Sequence, residues 1–297
     1  MSGDVPDDAR RVLILGGTGT VGRWAAKYLT GPGDRVVTVD RRGEVDLHAD
    51  VLRPEPALRT AADAAGMIVL ALPEDVALGC ADWLATVVGT DAVLVSTCSV
   101  QQPLFAALAT ADHAPRLVGV NPMFSPTLDS AGRPVALVRT ASDAVTDLLR
   151  RRLSAGGMLV TELTPDAHDE AMSYLQALPH AVLLAYLQAL VESPVEPAVL
   201  LRLAPPPART LLALACRILS APPEIYWDIQ HANAAGAQRR QALRRALDEL
   251  DDTVTAGDSD RFRATLAAAG DRLGPQVTLS AQECHRLFSL LSTPSST

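Results

Sequence analysis

The segment RVLILGGTGTVG, residues 11–22, joins a short apolar run to a glycine-rich turn. The apolar run has the composition of a buried parallel strand. The turn carries the GxGxxG spacing at Gly17, Gly19 and Gly22, and a helix is predicted to follow it. A strand, this glycine spacing and a helix, in that order, are the elements of a dinucleotide-binding loop.

Each glycine of the loop has its own physical task. One allows the tight turn, the second lets the backbone approach a pyrophosphate, and the third lets the helix pack closely against the strand. The N-terminus of the helix then faces the negative charge of the phosphates. The loop residues predicted to contact the cofactor are Gly17, Thr18, Gly19, Thr20, Val21 and Gly22.

Asp40 strengthens this prediction because it ends the second predicted strand, roughly twenty residues after the loop. A carboxylate at this place accepts hydrogen bonds from the adenine ribose hydroxyls and repels a 2′-phosphate, so the predicted cofactor is NAD. Arg41 and Arg42 leave an alternative open, since either of them can stack on adenine or meet a 2′-phosphate. Arg41 is included among the predicted cofactor contacts.

Further apolar strands are predicted at residues 67–72, 92–96, 117–120, 135–138 and 158–163, and helices alternate with them. This alternation predicts an α/β fold with a Rossmann-type, doubly wound sheet over residues 8–164. Leu72 and Pro73, which close the third strand, are also predicted to contact NAD.

Residues 165–297 are rich in alanine and leucine and are predicted to form an all-helical domain. Its helices are expected over about 166–191, 206–220, 222–254, 258–273 and 279–291, with a kink in the first at Pro179. An apolar helical half of this kind often dimerises, so we expect a homodimer through this domain. Four side chains are candidates for the dimer face or for the domain core: Tyr174, Leu178, Val182 and Leu183.

The composition limits the possible functions. The chain has 297 residues, 48% of them hydrophobic, with a mean hydropathy of +0.16, so it can bury a full core. A net charge of −8 without a long basic run argues against a nucleic-acid partner. The acidic N-terminus is not a signal peptide, no apolar run approaches the ~20 residues of a membrane span, and the cysteines lack metal-ligand spacing. We expect a cytoplasmic protein with no membrane or metal partner.

Four further segments carry the candidate chemistry. They are STCSVQ at 96–101, LVGVNPMFSP at 117–126, HDEAMSYLQALPH at 168–180 and CRILSAPPEIYWDI at 216–229. Together with the glycine loop, they resemble the prephenate/arogenate dehydrogenase family over most of the chain. In that family a segment that reads roughly Gly-x-His-Pro-Met-Phe-Gly-Pro carries the catalytic histidine, and Asn121 stands at the histidine position.

The resemblance implies roles for four other residues, and Arg209, eight residues before Arg217, is a weaker second candidate for a carboxylate contact. Ser99 matches a serine that lies by the substrate and the catalytic histidine, while Gln101 replaces a family lysine. Arg217 matches an arginine that binds a substrate carboxylate, for which a guanidinium offers a planar fork. The predicted substrate contacts are Gln101, His180, Arg209 and Arg217. Ordinary structural interpretations also exist: a helix cap for Ser99, a core histidine for His180 and a solvated arginine for Arg217.

The family oxidises a cyclohexadiene dicarboxylate, and loss of hydride and CO₂ makes the ring aromatic. Its histidine accepts the hydrogen bond of the substrate hydroxyl as positive charge builds on the ring carbon. Asn121 offers an amide oxygen as acceptor but cannot take a proton. Loss of a general base typically lowers the rate ~10²–10⁴-fold. A substrate amine needs that help less, because its nitrogen lone pair stabilises the developing cation better than a hydroxyl oxygen does.

The resemblance therefore favours NAD-dependent conversion of 4-amino-4-deoxyprephenate to 4-aminophenylpyruvate, a step on routes to antibiotics, with Asn121 and Ser99 as the catalytic residues. Oxidation of prephenate or arogenate in tyrosine biosynthesis is the first alternative. The second alternative is a catalytically inactive NAD-binding regulator, in which Asn121 marks a lost active site.

Overall fold

The computed structural model describes residues 10–89, 91–109, 116–141 and 143–291. Its strands are β1 Arg11–Leu15, β2 Arg35–Asp40, β3 Leu47–His48, β4 Met67–Leu70, β5 Val93–Ser96, β6 Arg116–Pro122, β7 Pro134–Val138 and β8 Leu159–Leu163. They form one eight-stranded sheet in the order β3-β2-β1-β4-β5-β6-β7-β8. The predicted α/β fold with a Rossmann-type sheet is confirmed.

Neighbouring strands pair in parallel, except that β6 and β7 are antiparallel. Residues 123–133, which join β6 to β7, contain no helix, and a parallel crossover needs a dozen or more residues, usually helical. The chain therefore reverses direction here. The strand order changes direction between β1 and β4, and ligands of open sheets bind outside the carboxyl ends at such a point.

The sheet is covered on both faces. Successive residues of a strand point to opposite faces, so Val12 and Ile14 join one apolar layer while Leu13 and Leu15 join the other. Burial on both faces explains why β1 reads as an uninterrupted apolar run. The helices that follow these strands are α1 Thr20–Tyr28, α2 Pro56–Asp63, α3 Glu74–Gly79, α4 Ala81–Val87, α5 Gln102–Ala109 and α6 Ala144–Ala155.

The chain is helical after β8. The elements are α7 Pro165–Met172, a π-helical turn Ser173–Ala177, α8 Leu178–Val191, α9 Pro197–Leu203, α10 Pro206–Leu219, α11 Pro223–His231, α12 Gly236–Thr255, α13 Ser259–Leu273 and α14 Gln276–Leu290. The π turn lies directly before the position of Pro179, whose missing N–H disturbs the regular hydrogen-bond ladder.

These helices differ from the sequence prediction at two places. The helix predicted over 222–254 is interrupted between α11 and α12, where the side chain of Asn233 accepts a hydrogen bond from the N–H of Ala235 at 3.0 Å. An asparagine that bonds its own backbone two residues on favours a turn over a continuing helix. The short helix α9, which follows a proline-rich stretch, was not predicted.

The structure divides into two compact units. The sheet unit contains the described residues up to 173 and residues 227–235, and the helical unit contains 174–226 and the described residues from 236 onward. The helical unit exposes many large apolar side chains, and α9, α13 and α14 have no buried residue. The division at residues 164 and 165 remains our proposal for the domain boundary.

One helical segment within the described part of the chain, Pro165–Val191, is long and apolar enough to span a membrane by length and composition. The prediction that no apolar run approaches this length was wrong by that measure. The prediction considered uninterrupted apolar runs, whereas this segment of 27 residues is apolar on average and includes His168, Asp169 and Glu170 near its start.

Candidate active site

The glycine loop connects β1 to α1 through positions where a side chain does not fit. Gly16 has a φ of 85°, which favours glycine. A Cβ on Gly22 would lie 2.2 Å from the carbonyl oxygen of Gly16, and a Cβ on Gly17 would lie 2.8 Å from the Cβ of Thr38. The loop therefore needs glycine for its turn and for close packing of α1 against the strands.

The N-terminus of α1 is open for an anion. Gly19 is the N-cap residue and makes no side-chain hydrogen bond, so the first N–H groups of the helix, from Thr20 and Val21 onward, are not capped by a side chain. Free N–H groups and the helix dipole together form a site for phosphate. This cradle fits the pyrophosphate of a dinucleotide.

Asp40 lies beside the loop at the end of β2. Its Oδ2 accepts hydrogen bonds from the N–H and the hydroxyl of Thr18, and its Oδ1 accepts one from the N–H of Arg41 at 2.7 Å. Partial burial opposes ionisation of Asp40, but these hydrogen bonds outweigh it and lower the pKa of the carboxyl. The carboxylate is thus charged and close to the loop, as an acceptor for ribose hydroxyls requires.

The other predicted cofactor contacts flank this region. Leu72 follows β4, and its Cδ2 lies 3.3 Å from the place of a Cβ on Gly16, while Pro73 is the N-cap residue of α3. Arg41 and Arg42 are both exposed. Their roles, and the preference for NAD over NADP, stay predictions.

Ser99 lies in the loop between β5 and α5. Because β5 and β6 are parallel, with Ser96 opposite Gly119, Ser99 and Asn121 emerge at the same edge of the sheet. The N–H of Ser99 donates to Oε1 of Glu74 at 2.7 Å, and its side chain is half-buried. Among the described residues, no hydrogen bond is found in which the Ser99 hydroxyl caps a helix.

Glu74 and Asp228 form a carboxyl pair next to Ser99. Burial raises the pKa of Glu74 to about 7, the N–H groups of Ser99 and of Glu74 itself oppose the rise, and the hydrogen bond and charge of Asp228 add to it. The Glu74 carboxyl therefore keeps its proton through the acid range, up to a pH of about 7.

Asn121 is the centre of a hydrogen-bond chain on this edge. Its side chain is buried, and its Nδ2 lies 3.0 Å from Nε2 of His168 and 3.8 Å from Sδ of Met172. Nδ1 of His168 lies 2.7 Å from Oδ1 of Asp169. His168 and Met172 are one turn apart on α7, so both can contact the same side chain.

Asp169 extends this chain to the loop that bears Ser99. Its Oδ1 accepts a hydrogen bond from the N–H of Gln101 at 2.9 Å, and its Oδ2 accepts one from the N–H of Gln102 at 2.8 Å. Helix α5 begins at Gln102, so a residue of α7 satisfies the free N–H groups at its N-terminus.

Gln101, a predicted substrate contact, is fully buried and directed inward. Its Nε2 donates to the carbonyl oxygen of Cys98 at 2.6 Å, while its Oε1 has no partner among the described residues. Oε1 lies 2.6 Å from where a Cβ on Gly119 would stand. Gln101 thus fills a gap beside the strand, and its contact with substrate stays a prediction.

His180 and Arg217 lie in the helical unit. Burial lowers the pKa of His180, and the positive charge of Arg217 lowers it further. The His180 ring meets the Tyr226 ring edge to face, with centroids 5.0 Å apart. Within the described residues, Nδ1 of His180 is buried without a hydrogen-bond partner and no ion pair of Arg217 is found.

This part of the helical unit can therefore receive an anion, because it combines an arginine with an unpaired imidazole nitrogen. Arg217 is exposed, so its charge is not buried and needs no anionic partner within the protein. Arg209, eight residues earlier on α10, is half-buried. The substrate roles of these three residues stay predictions.

Comparison with known proteins identifies the family. A sequence model of the prephenate dehydrogenase dimerization domain matches residues 164–268. A 4-amino-4-deoxyprephenate dehydrogenase from Streptomyces pristinaespiralis is 37% identical over 287 residues, which are 95% of this chain and 97% of that protein. This chain belongs to the prephenate dehydrogenase family. The predicted family and the predicted class of enzyme, an oxidoreductase, are confirmed.

Two more distant similarities extend the comparison. The T-protein of Enterobacter agglomerans is 26% identical over 259 residues, which are 87% of this chain and 66% of that protein. The crystal structure of prephenate dehydrogenase from Aquifex aeolicus with hydroxyphenyl propionate and NAD⁺ has a TM-score of 0.70 and 20% identity, and the match covers 90% of this chain and 98% of that chain. That similarity supports the fold, a Rossmann-type sheet followed by helices.

The sequence interpretation missed three side chains around Asn121 and Ser99. They are Glu74, His168 and Asp169. The adjacent pair His168-Asp169 near the start of a predicted helix was a usable signal, since a carboxylate beside an imidazole commonly fixes its tautomer. No comparable signal marks Glu74, whose pKa is raised mainly by burial in the folded protein and further by Asp228, more than a hundred residues away in the sequence.

The nucleotide loop leads to a prediction about Gly22→Ala. We expect the new Cβ to overlap the Gly16 carbonyl, to lower the free energy of unfolding by about 1–3 kcal/mol and to weaken NAD binding at least about tenfold. Thermal unfolding and a fluorescence titration with NADH measure both effects. Gly66→Ala is the matched control, because its new Cβ would lie 4.0 Å from the Arg11 carbonyl oxygen, an ordinary van der Waals distance. Unchanged NADH affinity in Gly22→Ala would contradict the assignment of the loop.

A second prediction concerns Glu74→Gln. Because the folded protein holds the Glu74 proton up to a pKa of about 7, against an ordinary value of 4.5, ionisation destabilises the fold as pH rises between these values. Glutamine keeps a donor toward Asp228 and cannot ionise. We expect Glu74→Gln to be more stable than the parent at pH 8, by about 1–3 kcal/mol, and nearly equal at pH 4.5.

The measurement for Glu74 is Tm by calorimetry across this pH range. Asp75→Asn, at an exposed carboxylate in the same helical turn, serves as the control and should leave the pH dependence of Tm unchanged. A stability difference for Glu74→Gln that does not vary with pH would show that Glu74 is not protonated in the folded protein.

Proposed function

We propose that this protein oxidises 4-amino-4-deoxyprephenate with NAD, giving 4-aminophenylpyruvate, CO₂ and NADH. The ring carbon that bears the amine loses hydride, and the opposite ring carbon loses CO₂. The electron pair of the broken carbon–carboxyl bond completes the aromatic ring. This proposal rests on the orientation of the Asn121 side chain, whose amide N–H groups are directed to His168 and Met172.

That arrangement leaves the Asn121 oxygen as the polar atom of the side chain available to a substrate. An amide oxygen accepts a hydrogen bond but takes no proton at ordinary pH. A neutral amine needs only this, because its lone pair stabilises the cation as hydride departs and no proton has to leave in that step. A hydroxyl oxygen stabilises that cation less well, so a hydroxyl substrate gains more from a base that draws its proton away, and Asn121 cannot act as that base.

The relative with 37% identity, named as a 4-amino-4-deoxyprephenate dehydrogenase, supports the same substrate. NAD, when bound, supplies the hydride acceptor. We assign its pyrophosphate to residues 17–22 and its adenine ribose to Asp40, with Arg41, Leu72 and Pro73 flanking it. The open N-terminus of α1 stabilises the phosphate charge, and the Asp40 carboxylate accepts from ribose hydroxyls.

The substrate is a small cyclohexadiene dicarboxylate. We assign a carboxylate to Arg217 and His180, because the arginine lacks an ion pair and the imidazole nitrogen lacks a hydrogen-bond partner among the described residues. Arg209 is the second candidate cation. Ser99 lies at the same sheet edge as Asn121, and we assign its hydroxyl a contact with the reacting substituent.

We propose a homodimer through the helical unit. The family model that matches residues 164–268 describes a dimerization domain, and large exposed apolar side chains on α8, α10 and α14 provide surface for a second copy. The apolar segment Pro165–Val191 is then covered by protein rather than by membrane. The net charge of −8 argues against a nucleic-acid partner, and the free cysteines support a cytoplasmic enzyme.

The substrate proposal predicts a large preference in kcat/KM. With NAD in excess, 4-amino-4-deoxyprephenate should exceed both prephenate and arogenate by about 10²-fold or more, the lower end of what a missing general base removes. NADH formation measured by absorbance gives the three values. A higher value for prephenate would instead favour the tyrosine-pathway alternative. Tight NAD binding without turnover of any of the three would favour an inactive regulator.

Replacement of the asparagine gives an independent prediction. Asn121→His restores a group that can accept a proton, so prephenate turnover should rise by about tenfold or more while turnover of the amine falls. Asn121→Gln, which changes size without adding a base, is the control and should not raise prephenate turnover. The rates are compared at saturating NAD, and equal prephenate rates for the two variants would show that a base at position 121 is not what limits that reaction.

A further inference from the structure

We propose that His168, as a neutral imidazole protonated on Nδ1, is a positioning residue that fixes which end of the Asn121 amide faces the substrate. The inference rests on the proposed function, since it explains how Asn121 presents an acceptor to an amine. His168 is fully buried and does not itself contact the reacting atoms in this assignment.

The neighbours of His168 determine which of its ring nitrogens carries the hydrogen. The carboxylate of Asp169 can only accept a hydrogen bond, and it lies 2.7 Å from Nδ1 of His168, so Nδ1 carries the hydrogen. In a neutral ring, Nε2 is then an acceptor. The group 3.0 Å from Nε2 must donate, and in Asn121 only the Nδ2 end of the amide can do so.

Met172 supports the same orientation. Its Sδ lies 3.8 Å from Nδ2 of Asn121 and is a weak acceptor for the second amide hydrogen. Both hydrogens of the amide are thus directed into the protein. No hydrogen bond to Oδ1 of Asn121 is found in the part of the chain that the structure describes. The oxygen is left to meet the substrate.

Backbone N–H groups hold the Asp169 carboxylate in place, and the carboxylate in turn holds the imidazole of His168. Asp169 accepts from the N–H groups of Gln101 and Gln102, so its carboxylate has little freedom to turn away from His168. Its own carbonyl oxygen accepts from Nδ2 of Asn233 at 2.8 Å. Because backbone donors cannot change into acceptors, the chain from Asp169 through His168 to Asn121 has one consistent direction.

The direction matters for selectivity. If the amide were reversed, its N–H groups could bond the substrate amine only through the single nitrogen lone pair, which must stabilise the developing cation. A hydroxyl oxygen has two lone pairs, so one stays available when the other accepts a hydrogen bond. A defect at His168 should therefore damage turnover of the amine more than turnover of the alcohol, which a general loss of stability would not do.

The first test observes the imidazole directly and does not depend on any substrate. In ¹⁵N-histidine-labelled protein at neutral pH, the His168 signals, assigned by their loss in His168→Gln, should show a protonated Nδ1 and an unprotonated Nε2. A protonated Nε2, alone or together with Nδ1, would overturn the proposal. This result is independent of whether 4-amino-4-deoxyprephenate is the substrate.

The second test uses two amide side chains that differ by one methylene. Glutamine at position 168 is long enough to place its oxygen near the position of Nε2, whereas asparagine reaches Asp169 but not Asn121. We expect His168→Asn to lower kcat for the amine about tenfold, with a smaller loss for prephenate and little change in KM, and His168→Gln to recover most of the rate.

The controls separate orientation from packing. Met172→Leu keeps the volume beside Asn121 and removes the weaker of the two acceptors, so it should lower kcat for the amine less than His168→Asn does. Tm values identify variants that fail to fold, in which case the labelling experiment on the parent protein decides. Equal losses for amine and alcohol in both His168 variants would overturn the positioning role. A parent enzyme that prefers prephenate, yet has the Nδ1–H tautomer, would refute only the substrate.

Discussion

The hydrogen bonds of the Asp169 carboxylate organise the sheet edge that carries Ser99 and Asn121. The carboxylate satisfies the N–H groups at the start of α5 and holds the imidazole of His168, which in turn bonds Asn121. Three segments distant in sequence are thereby joined through one side chain. A carboxylate suits this place because it accepts several hydrogen bonds at once and its charge is favourable at a helix N-terminus. Without it, the buried donors around it would be left unpaired.

The fold could be predicted from the sequence because its signals are local. The apolar runs of β1 and β4, the glycine spacing and the position of Asp40 each follow from residues close together in the chain. The misses have physical causes. The two residues of β3 are too few to show a pattern, and the break at Asn233 depends on a side chain that bonds its own backbone.

The candidate site was only partly predictable. The family resemblance pointed to Ser99, Asn121, His180 and Arg217, because these positions fall within recognisable segments. It gave no information on what surrounds Asn121, since those contacts come from α7, nearly fifty residues later. The inward direction of Gln101 also depends on tertiary packing, because the space it occupies exists only where β6 has a glycine.

The packing of Gln101 against Gly119 limits which residues fit at either position. A larger residue at 119 overlaps the glutamine, while a lysine at 101 that kept this direction would bury an unpaired charge. A substitution at 119 therefore has to be judged together with the residue at 101. An uncharged side chain at 101 thus suits its surroundings beside β6, apart from any contact with a substrate.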